Sequence, residues 1–109
     1  HRYSRLKDLF NEFCQCFNNA DYVFIADVYA AGEKKIENFN KETLASGISD
    51  FGHNNVSIIN NEDEICGQIN KIAKPNDVVI FLGAGNITKW SDKIIHQLDN
   101  SGMNNEKIL

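Results

Sequence analysis

A chain of 109 residues and 12.3 kDa has room for one domain, or for one part of a larger one. Its 42% hydrophobic and 24% charged residues argue for a globular fold over disorder, and a net charge of −4 leaves no basic footprint for nucleic acid. The longest apolar runs, residues 78–82 and 22–26, fall far short of the roughly 20 residues a bilayer span requires.

Along the chain, Leu6, Leu9, Phe10, Phe13, Cys14 and Phe17 fall at the spacing of an amphipathic helix, with Ser4 as its expected N-cap and Asn18-Asn19 as its end. Residues 22–27 form an apolar run too continuous for a one-sided strand, which predicts a strand buried on both faces of a parallel sheet. Residues 28–40 carry no clear period, and a connection this long is usually functional or mobile. Leu44, Ile48 and Phe51 predict a helix over residues 41–51 with Gly52 as its stop. Residues 56–59 read as a strand. Residues 62–73 read as a helix with Ile65, Ile69 and Ile72 on one face and three acids in its first turn, where the helix dipole favours them. A turn at Pro75-Asn76-Asp77 leads to the most apolar strand, residues 78–82. Gly83-Ala84-Gly85 then opens a last helix with Ile87, Trp90, Ile94 and Leu98 on its apolar stripe.

Strands alternating with helices predict an α/β fold with a parallel sheet. Three strands make a thin sheet, and the chain starts on a helix with no strand feeding it. The expected organisation is therefore one domain over residues 1–98, with its first strand upstream, followed by a patternless polar tail over residues 99–109.

Three stretches carry candidate chemistry, since ligands of open parallel sheets bind outside the carboxyl ends of the strands. The first is His1-Arg2-Tyr3-Ser4-Arg5. Arg2 and Arg5 are the only arginines, and at a helix start the dipole disfavours them, which suggests an anion such as a carboxylate or phosphate; the plainer reading is two solvated cations. The second is Asp27-Val28-Tyr29-Ala30-Ala31-Gly32-Glu33. There Asp27 ends a strand and can accept from a hydroxyl, an ammonium or a metal-bound water, or simply cap the next turn, while Glu33 reads as a solvated loop charge. The third is Gly83-Ala84-Gly85-Asn86-Ile87-Thr88. It resembles the start of a dinucleotide fingerprint, but Thr88 stands in the third glycine's place and no βαβ unit follows. His53 reads as a surface loop residue, His96 as a flank of the last helix and Trp90 as core. Cys14, Cys16 and Cys66 share no metal-ligand spacing with the histidines and read as free thiols of a reducing cytoplasm.

Taken together and in this order, the three blocks resemble the C-terminal domain of the UDP-N-acetylmuramate–L-alanine ligases, of the Mur ligase family, over roughly residues 1 to 98. The resemblance implies a three-layer Rossmann-like domain with a mostly parallel sheet. It also implies a cytoplasmic, ATP- and magnesium-dependent enzyme of peptidoglycan precursor synthesis. Such an enzyme activates UDP-N-acetylmuramate as an acyl phosphate for attack by L-alanine. On this resemblance Arg2 and Arg5 bind the carboxylate of the amino acid, and His1, Asp27, Tyr29, Glu33, Gly83, Gly85 and Asn86 lie at the edge of the site, with no catalytic residue or metal ligand among them.

The family's Gly-rich ATP loop, its central and N-terminal domains, and the Asp-Asp-Tyr-Gly-His-His stretch after the first strand do not occur in these 109 residues. The resemblance therefore implies that ATP and magnesium are held mainly by domains outside this chain, with no cofactor on the chain alone, no nucleic-acid or membrane partner, and no turnover without those domains. Two alternatives stand beside it. One is a non-catalytic α/β interaction module left by gene truncation. The other is a nucleotide-binding Rossmann protein using Gly83 to Asn86.

Overall fold

The computed structural model describes residues 1–100 and 106–108. The chain divides into two units, His1–Asn60 and Asn61–Leu109. Both are built from helices and short parallel strands, as an α/β fold requires.

The first unit opens with α1 (Tyr3–Asp8) and α2 (Phe10–Gln15). The stripe from Leu6 to Phe17 predicts one helix, but the backbone leaves helical geometry at Leu9 (φ −115°, ψ 22°). The ladder nearly bridges the break: the Leu9 N–H donates to the Arg5 carbonyl at 3.1 Å and the Phe13 N–H to the Leu9 carbonyl at 2.9 Å. Periodicity survives such a break because the rotation per residue is almost kept. The first turn also differs from expectation. Arg2, not Ser4, occupies the N-cap position, and its side chain caps nothing.

Strand β1 (Val23–Ile25) leads through the long connection to α3 (Lys41–Asp50) and back to β2 (Val56–Ile58), which lies parallel to β1 with Val23 opposite Val56 and Ile25 opposite Ile58. This β-α-β unit matches the sequence expectation closely, and its caps explain the boundaries. The Asn40 side chain accepts from the Thr43 N–H at 2.8 Å to start α3. Gly52, at φ 103°, ends the helix in a conformation that costs glycine little. The core holds Tyr3, Leu6, Cys14, Val23, Ile48 and Ile59. Helix α2 lies so close to α3 that a Cβ on Gly47 would collide with the Cys14 sulfur. Phe51, expected on the buried stripe of α3, is half exposed because it follows the last helical turn.

The second unit contains α4 (Glu62–Ile72), β3 (Val78–Ile80), α5 (Ile87–Asn100) and β4 (Glu106–Ile108). Asn61 caps α4 through its side chain, which accepts from the Glu64 N–H at 2.9 Å. Asn76, at φ 76°, turns the chain, and the Asp77 carboxylate accepts from the Lys74 N–H at 2.8 Å. Ile65, Ile69, Phe81, Ser91 and Ile94 are buried, while Trp90 is only half-buried. Across α4 and α5 the Lys93 ammonium reaches Glu62 at 2.7 Å, which raises the lysine's pKa.

Three expectations are corrected. Instead of one sheet through all predicted strands, the ladders form two sheets of two parallel strands each, β1–β2 and β3–β4. The polar tail expected from Asp99 is also partly regular. Helix α5 runs on to Asn100 and residues 106–108 pair with β3, while residues 101–105 and 109 lie outside the described residues. Finally, β1, expected to be buried on both faces, is fully buried only at Val23, with Phe24 and Ile25 half-buried. Along β3 and its extension Val78, Ile80 and Leu82 are exposed while Phe81 is buried, the alternation of a half-covered strand.

Candidate functional site

In the first unit the candidate residues lie at two places, at the start of α1 and at the carboxyl edge of β1–β2. At the start of α1, Glu33 is not a solvated loop charge. Its carboxylate accepts from the Ser4 hydroxyl at 2.7 Å and from the Ser4 N–H at 3.2 Å. These two hydrogen bonds, with Arg2 nearby, hold the Glu33 carboxyl below its usual pKa. The chain reaches this position by a turn in which the Glu33 N–H donates to the Ala30 carbonyl at 2.9 Å, with Ala31 and Gly32 both in left-handed conformation (φ 50° and 84°). Gly32 is there for backbone freedom, since a Cβ would meet nothing within 4 Å.

Glu33 thus places a carboxylate of the chain itself near Arg2. Both arginines are nevertheless solvent-exposed, and neither guanidinium forms an ion pair with another described residue. The His1 ring stacks on Phe13 with centroids 5.4 Å apart.

At the sheet edge Asp27 follows β1 and is paired with Lys41, the first residue of α3, at 2.8 Å. Lys41 is 8% exposed in its side chain and Asp27 71%. The same ammonium donates to the Ile59 carbonyl at 3.1 Å and to the Asn60 side-chain oxygen at 2.6 Å, both just beyond β2. A lysine ammonium has three protons, and here each has an acceptor. Sequence reasoning missed Lys41, Ser4 as a ligand of Glu33, and Asn60. One signal was present: a lysine in the first helical turn opposes the dipole, so it needs a partner elsewhere. Between Asp27 and Glu33, Tyr29 projects with 45% of its surface exposed.

Gly83, Gly85 and Asn86 belong to the second unit. Gly83 and Gly85 take positive φ (145° and 71°), and the Asn86 carbonyl accepts from the Lys89 N–H at 3.0 Å to begin α5. A Cβ on Gly83 would press on Ile87 at 3.1 Å. These glycines serve a tight strand-to-helix turn.

His53 is a correction of another kind. Expected on the surface, it is buried, with Nδ1 accepting from the Asn55 N–H at 3.1 Å and Nε2 facing the Ala20 carbonyl at 2.7 Å. The neutral Nε2–H tautomer satisfies both contacts and ties the segments entering β1 and β2 together. Burial pushes the thiols of Cys14 and Cys16 up, which makes them less reactive. Among the described residues, no three His, Cys, Asp or Glu side chains converge as a metal site, and no helix is long and apolar enough to cross a membrane.

No protein-family model matches the chain. Among known proteins, it is 48% identical over 99 residues to a UDP-N-acetylmuramate–L-alanine ligase of Rhodospirillum centenum. It is 50% identical over 99 residues to the ligase of that name from Rhodospirillum rubrum and 52% identical over 99 residues to the one from Gluconobacter oxydans. Each match covers 91% of this chain and about a fifth of the relative's own length.

Proposed function

We propose that this chain, a homologue of UDP-N-acetylmuramate–L-alanine ligases over nine-tenths of its length, forms the part of such a ligase that binds the amino acid and closes over the reaction. The observation that carries the reading is this identity, about half of the residues over 91% of the chain. In the proposed reaction ATP, held by the rest of the enzyme together with magnesium, supplies the phosphoryl group that converts the muramyl carboxylate to an acyl phosphate. The L-alanine amine attacks the acyl carbon, phosphate leaves with the C–O bond electrons, the amine loses a proton, and an amide remains.

Within that scheme this chain's residues bind and orient. Arg2 and Arg5, exposed and without ion-pair partners among the described residues, supply donors for the amino-acid carboxylate. Glu33 keeps Ser4, which lies between them in sequence, in a fixed place. Asp27 and Tyr29 are assigned to the edge of the site. The domain is read as C-terminal and Rossmann-like, its full sheet completed by the rest of the ligase in the cytoplasm. A lid of this kind joins the site by closure, and closure also excludes water from the acyl phosphate.

The test is a chimera of the Rhodospirillum rubrum ligase in which the matching 99-residue segment is replaced by this one. Alanine-dependent phosphate release from ATP and UDP-N-acetylmuramate is the expected result. Arg5→Ala should weaken apparent L-alanine affinity by about 1.5–3 kcal/mol, the range for a hydrogen bond to a charged group. The requirement for UDP-N-acetylmuramate should stay the same. A folded chimera without release would reject the ligase reading, and an unchanged alanine KM would remove Arg5 from the site.

A further inference from the structure

Lysine is among the residues least often buried, and Lys41 is buried with its whole donor capacity used. It stands at the carboxyl edge of a parallel strand pair, the edge at which such sheets bind ligands. Two of its acceptors, the Ile59 carbonyl and the Asn60 side chain, follow β2 and fix the ammonium from below. The third is the exposed carboxylate of Asp27, where the connection leaves β1. That connection is gripped again at Glu33, whose carboxylate holds the N–H and hydroxyl of Ser4. Residues 28–32 are therefore a strap tied at both ends. One knot is buried at Lys41, and the other lies on the residue between Arg2 and Arg5.

We propose that Lys41 is a positioning residue for amino-acid binding. By anchoring Asp27 it fixes one end of the strap, and through Glu33 and Ser4 the strap sets the placement of the two arginines. The inference rests on the ligase reading and deepens it. A sheet-capping lysine alone would explain the contacts to Ile59 and Asn60. It would not explain why the third proton goes to an exposed carboxylate at the mouth of a segment whose other end reaches the arginine block. Removing the ammonium frees the strap at its buried end, and misplacement of a positioning element lowers productive binding without touching the chemistry.

The experiment uses the same chimera with Lys41→Met, Asp27→Ala and the double variant, reading KM for L-alanine, KM for UDP-N-acetylmuramate, kcat and thermal unfolding. Lys41→Met should raise the alanine KM on the order of tenfold to a hundredfold, the scale expected when a binding group is misplaced. Asp27→Ala should move the alanine KM in the same direction, and the double variant should be no worse than Lys41→Met to within about twofold, since one linkage is being cut twice. The KM for UDP-N-acetylmuramate should not change.

Should Lys41→Met lower only the unfolding temperature, with the alanine KM unmoved, Lys41 is a sheet cap and the proposal fails. Independent, multiplying effects of the two substitutions would also overturn it. If Lys41→Met does not fold, Asp27→Ala decides the matter. It removes the acceptor at an exposed position and leaves Lys41 the Ile59 carbonyl and the Asn60 side chain, so an unchanged alanine KM there rejects the linkage. If the unsubstituted chimera shows no alanine-dependent release, the ligase reading fails and this inference falls with it.

Discussion

At the scale of single residues, the contacts that organise the first unit are charged or tautomer-specific hydrogen bonds. Glu33 is the clearest case. Hydrogen bonds from Ser4, with Arg2 adding to them, hold its carboxyl below the ordinary value of 4.5. A group whose pKa falls on folding stabilises the fold fully above its unfolded pKa, and the contribution fades as pH drops through the lower, folded value. Glu33→Gln should therefore cost stability at neutral pH, and the gap to the parent chain should close as the solution is acidified. Urea unfolding across that pH range measures it, and a gap independent of pH would show that the charge of Glu33 contributes nothing. Little of this was legible beforehand. Glu33 and Ser4 each look ordinary in sequence, and so does His53 in its polar Gly52-His53-Asn54-Asn55 setting. What makes them matter is a partner that no local pattern names.

At the scale of elements, helices α3 and α4 are read almost to the residue, because the spacing of their apolar residues and the residues that start and stop them are local properties. Their two glycines separate packing from propensity. Gly47 lies where α3 meets α2, and its Cβ would strike the buried Cys14 sulfur, so Gly47→Ala should destabilise by about 1–3 kcal/mol through overpacking. Gly67 is inside α4 with open space around it, and Gly67→Ala should stabilise by about 0.5–1 kcal/mol through backbone entropy. Chemical denaturation of the two variants should give opposite signs, and the same sign for both would contradict the packing of α2 on α3. The break at Leu9 and the shortness of all three predicted strands escaped the sequence reading. An apolar run states how hydrophobic a segment is, whereas strand length is decided by how many residues find a ladder partner.

At the scale of the whole molecule, the chain spans about a fifth of the length of the ligases it matches. On the proposed division of labour it carries the amino-acid end of the site and leaves ATP and the UDP-sugar to the rest. The 109-residue chain by itself should then release no phosphate when given ATP, magnesium, UDP-N-acetylmuramate and L-alanine. Turnover by the isolated chain would refute that division. By itself the sequence determined the alternation of helix and strand, the β-α-β unit around α3, and the kinship with the ligases, since these rest on local periodicity or on blocks of residues kept in order. Only the tertiary structure decided which charges meet. Ser4 and Glu33 are 29 residues apart, His53 and Ala20 are 33 apart, and Lys41 joins Asp27 to Asn60 across two strand ends. It also decided that β3 pairs with residues 106–108, in a stretch whose composition announces no strand. Each such contact depends on a partner far along the chain, and a linear pattern records each residue's own preference but not the neighbour that folding delivers.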